Sequence, residues 1–306
     1  MDDVLLGIKE LSEKDILIVE AIAGGLSSDR KYFLETINGE QMLLRISDGA
    51  EVERKSAEYV MTAHAFAHAI PTSQPLGFGL CEDGEHCFSL FGWIEGVDAD
   101  RAMAGMSPTE QYRLGMQSGK LLRKIHGIPI PVEITNDDVA FDTRAKARMD
   151  RYAAKPQARC GAGEKAARFL MEQMGTLPSR QQTFIHGDFN TENIIVMSDG
   201  TIGVIDFNSY NTMCGDPWGE LSNMAWMPTV YPEFHSGQMN AYFGGEPPEA
   251  FWKAFSFSLA CTALAALTDS YELNGVEDGM GIAQRILEWT DDFRGFMPLW
   301  YHQDGL

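Results

Sequence analysis

Apolar and polar positions divide the chain into a β-rich first third and a largely helical remainder interrupted by one hairpin. Residues 16–22 form an apolar run, ILIVEAI, followed by the small polar stretch Gly24-Gly25-Leu26-Ser27-Ser28. Residues 31–37 and 41–46 flank Asn38-Gly39, a dipeptide that accepts the positive φ values of a tight turn, so a hairpin is expected there. Val52, Tyr59, Ala63, Phe66 and Ile70 then recur at helical spacing and predict a helix over 50–69. Residues 71–78 lead into a further strand pair. Its second run, 87–91, is released into the Gly-flanked segment Gly92-Trp93-Ile94-Glu95-Gly96.

Beyond residue 95 helical periodicity takes over. Ser107-Pro108-Thr109-Glu110 is a capping box with proline at the first helical position. The helix it opens runs to about His126, with Leu114, Leu121, Leu122 and Ile125 on its buried face and Gly127 as its stop. Residues 127–142 are irregular; helices are expected over 143–154 and 163–174, and a strand over 182–185. Asp216 before Pro217 is a good N-cap. Two helices, 248–272 and 276–293, close the chain. The last carries Ile282, Ile286, Trp289 and Phe293 on one stripe and Glu288, Asp291 and Asp292 opposite. The most apolar segment, 254–267, is broken by Ser256, Ser258 and Thr262. It is too short for a bilayer span and reads as a buried helix.

The chemistry concentrates in residues 186–207, HGDFNTENIIVMSDGTIGVIDF. Two short β-rich runs around Ser198-Asp199-Gly200 read as a hairpin, whose ends bring Asp188, Asn193 and Asp206 into one small volume. Phosphoryl transfer needs such a set. One carboxylate, here Asp188, orients the attacking hydroxyl and accepts its proton; a carboxylate and an amide oxygen, Asp206 and Asn193, hold Mg²⁺ against the nucleotide phosphates. Each residue alone is an ordinary turn former. The string H-G-D-x-x-x-x-N followed by a strand ending in I-D-F is far more specific. Residues 24–28, between two strands, suit a flap whose backbone N–H groups cover phosphates, with Ser27 and Ser28 nearest them.

Composition narrows the partners. With 24 Lys+Arg against 44 Asp+Glu the net charge is −20, which argues against nucleic acid or an anionic membrane and is compatible with a cationic small molecule. Residues 211–306 hold thirteen acidic and three basic side chains, about half of that net charge. The five cysteines are scattered without a C-x-x-C, so neither a zinc site nor a disulfide scaffold is indicated. The N-terminus, Met1-Asp2-Asp3, carries no signal-peptide pattern, and a reducing cytoplasm is the expected compartment.

The 186–207 stretch resembles the catalytic loop and metal-binding aspartate of the aminoglycoside phosphotransferases and their relatives, small-molecule kinases with a protein-kinase-like fold. It has His186-Gly187-Asp188 where protein kinases have His-Arg-Asp, and Asp206-Phe207-Asn208 where they have Asp-Phe-Gly; no Ala-Pro-Glu follows. The resemblance implies a bilobal α+β fold. A small antiparallel N-lobe with one helix would occupy 1–95, and a larger, mainly helical C-lobe that binds the acceptor would occupy 96–306. It implies ATP or GTP as donor, and adenine contacts from backbone groups of Gly92 and Ile94 at the hinge. It also implies a cation at the end of the third strand, where relatives carry Lys and this chain carries Arg45. A helix glutamate would brace that cation: Glu58 is preferred because it lies beside the apolar stripe, and Glu53 is the alternative. Asp216 is expected to support the catalytic loop, and His186 to act as a scaffold. The leading acceptor is an aminoglycoside-like antibiotic, with choline, a sugar, a macrolide or an amino alcohol as rivals. A non-catalytic nucleotide-binding regulatory module is the alternative from a different class.

Overall fold

Five antiparallel strands form a sheet in the order β1-β2-β3-β5-β4, with β1 Ile16–Ile22, β2 Arg30–Thr36, β3 Gln41–Asp48, β4 Pro75–Leu80 and β5 His86–Gly92. The computed structural model describes residues 7–12, 14–23, 28–82, 84–131, 134, 137–208, 213–227, 229–269 and 279–303. Alternation along the strands gives the sheet two different faces. Leu34, Met42, Leu44, Ile46, Phe88 and Leu90 are buried on one, together with Ile8 and with Leu11 of the short helix α1, Lys9–Ser12. The pairings Lys31↔Arg45, Phe33↔Leu43, Arg45↔Ser89 and Leu43↔Phe91 place the remaining side chains on the other face.

That second face meets helix α2, Val52–Ala67, through Tyr59, whose ring lies 5.5 Å from those of both Phe78 and Phe91. A 3₁₀ turn, Gly49–Glu51, precedes α2, and Asp48 caps it by accepting from the Ala50 N–H at 2.8 Å. The expected Asn38-Gly39 turn forms, with Gly39 at φ 79°, and is closed by the Thr36 N–H on the Glu40 carbonyl. A second small sheet pairs β6, Val97–Asp98, with β8, Ile194–Val196, and β8 with β9, Ile202–Val204. These elements make one compact unit from residues 1–98, 186–188 and 193–213. The chain leaves this unit after Asp98 and returns to it for residues 186–188 and 193–213.

The other unit comprises 99–185, 189–192 and 214–306. Its elements are α3 Ala99–Met103, α4 Pro108–His126, α5 Phe141–Ala153, α6 Gly161–Gln173, β7 Thr183–Phe184, β10 Cys214–Gly215, α7 Pro217–Glu220, α8 Pro232–Phe243, α9 Glu249–Asp269 and α10 Gly279–Trp289. The capping box forms at α4: the Glu110 N–H donates to Ser107 Oγ, and the Ser107 N–H to Glu110 Oε2 at 2.8 Å. Helices α4 and α8 touch backbone to backbone. A Cβ on Gly119 would lie 2.0 Å from the Gln238 carbonyl oxygen, so only glycine permits this approach. Buried His126 ties the pair to α7, with Nδ1 2.8 Å from the Tyr242 hydroxyl and Nε2 2.9 Å from Glu220 Oε2.

Two expectations change here. The apolar segment at 254–267 is part of a 21-residue helix, α9, which by length and composition alone could cross a membrane, because the flanking residues continue the helix. Its most apolar window is 89% buried inside the protein, so it is a core helix. Helix α10 ends at Trp289, four residues before the stripe suggested, because Asp291, Asp292 and Phe293 all take positive φ. Phe293 still packs inward, stacked on Phe169 with ring centroids 4.6 Å apart.

Candidate active site

His186 organises residues 186–208. It is fully buried, and its Nε2–H donates to the Ile205 carbonyl at 2.9 Å while Nδ1 accepts the Asp188 N–H at 3.3 Å. A carbonyl can only accept and an amide N–H can only donate, so these partners fix the neutral tautomer protonated on Nε2. The His186 carbonyl accepts the Asn208 N–H at 2.9 Å. One residue therefore holds both flanks of Asp206-Phe207, and the Phe207 ring packs 4.4 Å from the imidazole. This is the scaffold role expected of His186.

Asn193 closes the loop from the other side. Its Nδ2 donates to the Asp188 carbonyl at 2.8 Å and to Asp188 Oδ2 at 3.0 Å, and its own carbonyl accepts the Ile205 N–H at 3.0 Å. Asp188, Asn193 and the residue beside Asp206 are thus joined by hydrogen bonds that follow from the hairpin register Ile194↔Val204. Asp206 sits at φ 65°, in the left-handed region that aspartate tolerates better than most residues. Its carboxylate forms an ion pair with Arg45.

The cations around this set are arranged differently from expectation. Arg45 pairs with Asp206 and not with Glu58. Glu58 accepts from Arg54 Nη1 at 2.8 Å, one turn away on its own helix, and lies 3.6 Å from Lys55 Nζ. Lys55, on α2, reaches the residue just before β2. Its ammonium meets Asp29 Oδ2 at 2.6 Å, with side chains only 5% and 1% exposed, and Ser47 Oγ donates to Asp29 Oδ1 at 2.8 Å. Burial opposes ionisation of Asp29, but the hydrogen bonds from Lys55 and Ser47 and the charges of Lys55 and Arg45 outweigh it. They hold the carboxyl below its ordinary value of 3.8. Arg45, Lys55, Glu58, Tyr59, Ser89 and Asp206 line one cavity of about 40 Å³, enough for ordered water.

Residues 18–252 match the phosphotransferase enzyme family. The chain belongs to that family. Its fold is that of solved members and relatives. A macrolide 2'-phosphotransferase from Brachybacterium faecium superposes with a TM-score of 0.64 at 16% identity, covering 93% of this chain and 97% of that one. A choline/ethanolamine kinase family protein from Mesorhizobium loti gives 0.63 at 16%, covering 96% of each chain. A ternary complex of APH(2'')-IIa with streptomycin and ATP gives 0.64 at 14%, covering 92% and 95%. No curated protein matches the chain in sequence. At these identities the likeness establishes the protein-kinase-like α+β fold of the phosphotransferase.

Several expected contacts of this phosphotransferase need adjustment. The Gly92 N–H donates to the Gln74 carbonyl at 2.8 Å, and the Trp93 N–H to the Gln41 carbonyl at 3.0 Å. These two donors are therefore already engaged, so the Gly92 N–H is not available to adenine. Ile94 packs its side chain over Gly203. Ser28 is exposed and immediately precedes Asp29; Ser27 lies outside the described residues. Asp216 caps α7 through the Trp218 N–H at 3.1 Å and pairs with Arg180 at 2.7 Å, and the Arg180 guanidinium lies 3.9 Å from the Trp218 ring centroid. These partners explain its burial through its own helix and neighbours rather than through the catalytic loop.

The donor set suits a hard divalent cation. Asp206 supplies a carboxylate. Asn193 turns its amide nitrogen to Asp188 and so directs its oxygen to the opposite side. Among the described residues no group of three or more His, Cys, Asp and Glu stands ready to cage a metal. Mg²⁺ held by one or two protein ligands draws the rest of its shell from phosphates and water.

Gly187, between His186 and Asp188, sits at φ 89°, and a Cβ there would lie 1.7 Å from the Asn208 carbonyl oxygen. Gly187→Ala should separate the loop from the Asp206 flank. The expected result is a loss of turnover of roughly 10²-fold or more, as for a catalytic group misplaced by about an ångström. A lowered melting temperature should accompany it, measured by calorimetry beside steady-state kinetics.

Proposed function

We propose that the chain transfers the γ-phosphoryl group of ATP or GTP to a hydroxyl of a small acceptor, with Mg²⁺, in the cytoplasm. The observation that carries this reading is the joining of Asp188, Asn193 and the Asp206 flank through His186 and the Asn193 amide. A protein that only bound nucleotide would not need an oriented carboxylate beside the metal ligands. Asp188 orients the hydroxyl and takes its proton. Asn193 and Asp206 hold the Mg²⁺ that neutralises charge on the phosphates. Arg45, now paired with Asp206, is the phosphate cation, and its planar fork can serve a phosphate and a carboxylate together.

For the acceptor we propose a polyhydroxylated cation of the aminoglycoside kind. The excess of acidic side chains over 211–306 supports it, since carboxylates favour ammonium groups. The test is a panel of aminoglycosides, choline, amino alcohols, sugars and macrolides incubated with enzyme, Mg²⁺ and either ATP or GTP, with phosphorylated products read by mass spectrometry. A cationic acceptor should gain the phosphoryl group. Labelling of an uncharged sugar alone would overturn the acceptor assignment and keep the kinase reading.

A further inference from the structure

Relatives are expected to grip donor phosphates with one strand cation braced by a helix glutamate. Here the charges are distributed otherwise, and one lysine remains unexplained. Lys31 is the direct partner of Arg45 across the antiparallel β2–β3 pair. Directly opposed residues share a face with Cβ atoms about 4.5–5.5 Å apart, and like charges so placed repel. Burial first, then the charge of Arg45, lowers the pKa of Lys31 below the ordinary lysine value, with Asp206 and Asp29 pulling the other way. Two cations have been set side by side, half-buried, at a cost that a solvated surface lysine would avoid.

We propose that Lys31 of β2 and Arg45 of β3 together form a two-cation seat for the phosphates of the nucleoside triphosphate, while Lys55 is withheld from that role by Asp29. This rests on the kinase reading above and adds a residue to it. Lys55 lines the same cavity as Arg45, but its ammonium is committed to a buried carboxylate at 2.6 Å that Ser47 also holds. Breaking such a pair would leave an uncompensated buried charge, which is strongly unfavourable. The pair also joins helix α2 to the start of β2, so the helix–strand brace has its signs reversed: the cation is on the helix and the anion on the strand side. Glu58 is then not needed to hold Arg45, and it turns to Arg54 and Lys55.

Charge accounting points the same way. With Lys55 and Asp29 paired, Asp206 is the carboxylate that pairs with Arg45, and it acts on Lys31 through its charge alone. Were Asp206 to ligate Mg²⁺, that compensation would be drawn away, and a polyanion bridging the two cations would replace it. A second observation marks the place of the missing acceptor: Arg45 Nε is buried and has no hydrogen-bond partner. Leaving a donor so placed unsatisfied is costly, and a phosphate oxygen seated between the two side chains would relieve it.

The test is isothermal titration of Mg·ATP, Mg·ADP and adenosine into wild type, Lys31→Ala, Lys31→Arg and Arg45→Ala, with inorganic tripolyphosphate as a base-free probe. Loss of one charge-assisted contact should weaken ATP and tripolyphosphate by roughly 10-fold or more in Lys31→Ala. Adenosine affinity should stay near the wild-type value, and Lys31→Arg should recover most of the ATP affinity. Lys31→Met keeps the apolar stem and carries the test if the alanine variant does not fold. ATP affinity in Lys31→Ala close to that of wild type, with Arg45→Ala impaired, overturns the two-cation seat and leaves the kinase reading standing. Equal loss of ATP and adenosine assigns Lys31 to the strand's structure and also overturns it. Failure of wild type to bind any nucleotide sinks the kinase reading and the seat together.

Discussion

Asp188→Asn should lower turnover by roughly two orders of magnitude or more while leaving nucleotide affinity nearly unchanged, the effect of removing a positioned base. The substitution is nearly isosteric. Asn193 Nδ2 donates to the backbone carbonyl of residue 188 as well as to its Oδ2, so the loop retains its 2.8 Å tie, and an asparagine oxygen can still accept the 3.0 Å one. What disappears is the negative charge that aligns the acceptor hydroxyl and receives its proton. The nucleotide contacts proposed above lie elsewhere, on β2, β3 and the hinge, which is why affinity should hold. Steady-state kinetics beside calorimetric titration of Mg·ATP separates the two quantities. Turnover within a few-fold of wild type would remove Asp188 from the mechanism.

Asp206→Ala should have the larger effect, abolishing Mg²⁺-dependent turnover. Mg²⁺ supplies several kcal/mol of transition-state charge stabilisation, so a loss of roughly 10³-fold or more is expected when its carboxylate ligand is removed. Two further consequences follow from the geometry. Arg45 loses its ion-pair partner, and alanine is less at ease than aspartate at φ 65°. Asp206→Asn separates these effects, since asparagine tolerates the left-handed region. Both variants should be inactive, but the alanine variant should melt at the lower temperature. Activity plotted against Mg²⁺ concentration is the readout. An unchanged metal dependence in either variant would place the metal on other residues.

The meeting of Asp188, Asn193 and the Asp206 flank was legible in the sequence because its logic is local. A hairpin of two three-residue strands fixes Asn193 opposite Ile205, and the order of residues along the chain already implies the meeting. The helix starts at Ser107 and Asp216 were legible for the same reason, since a cap needs only its own next two or three residues. The cation arrangement was not legible, because it depends on strand register. Read as a two-residue loop, Asn38-Gly39 pairs Lys31 with Ile46. The observed loop is one residue longer, closing on Thr36 and Glu40, and pairs Lys31 with Arg45. One residue of slip moves a side chain to the other face of the sheet. The Lys55–Asp29 pair was hidden differently: it spans 26 residues and joins a helix to a loop. On the sequence, Lys55 one turn before Glu58 reads as part of an ordinary charged helix face.

Glu58 shows how resemblance can mislead where geometry decides. A glutamate beside the apolar stripe of α2 was the natural brace for a strand cation, but Arg54 on the same helix turns it away and Asp206 takes Arg45 instead. Arg45 and Glu58 line one cavity but form no ion pair with each other, so a double-mutant cycle on them should show weaker coupling than one on Arg45 and Asp206, in nucleotide-induced thermal stabilisation. A coupling as large as that of Arg45 with Asp206 would return Glu58 to the phosphate grip.

The most direct measurement of phosphoryl transfer uses wild type and Asp188→Asn side by side with Mg²⁺, γ-labelled ATP or GTP, and the acceptor panel. Transfer is followed by mass spectrometry of the acceptor. The expected result is that one acceptor class gains the labelled phosphoryl group with wild type and none does with Asp188→Asn. Nucleotide binding by the wild type with no labelled acceptor anywhere in the panel would contradict catalysis and leave a nucleotide-binding regulatory module in its place.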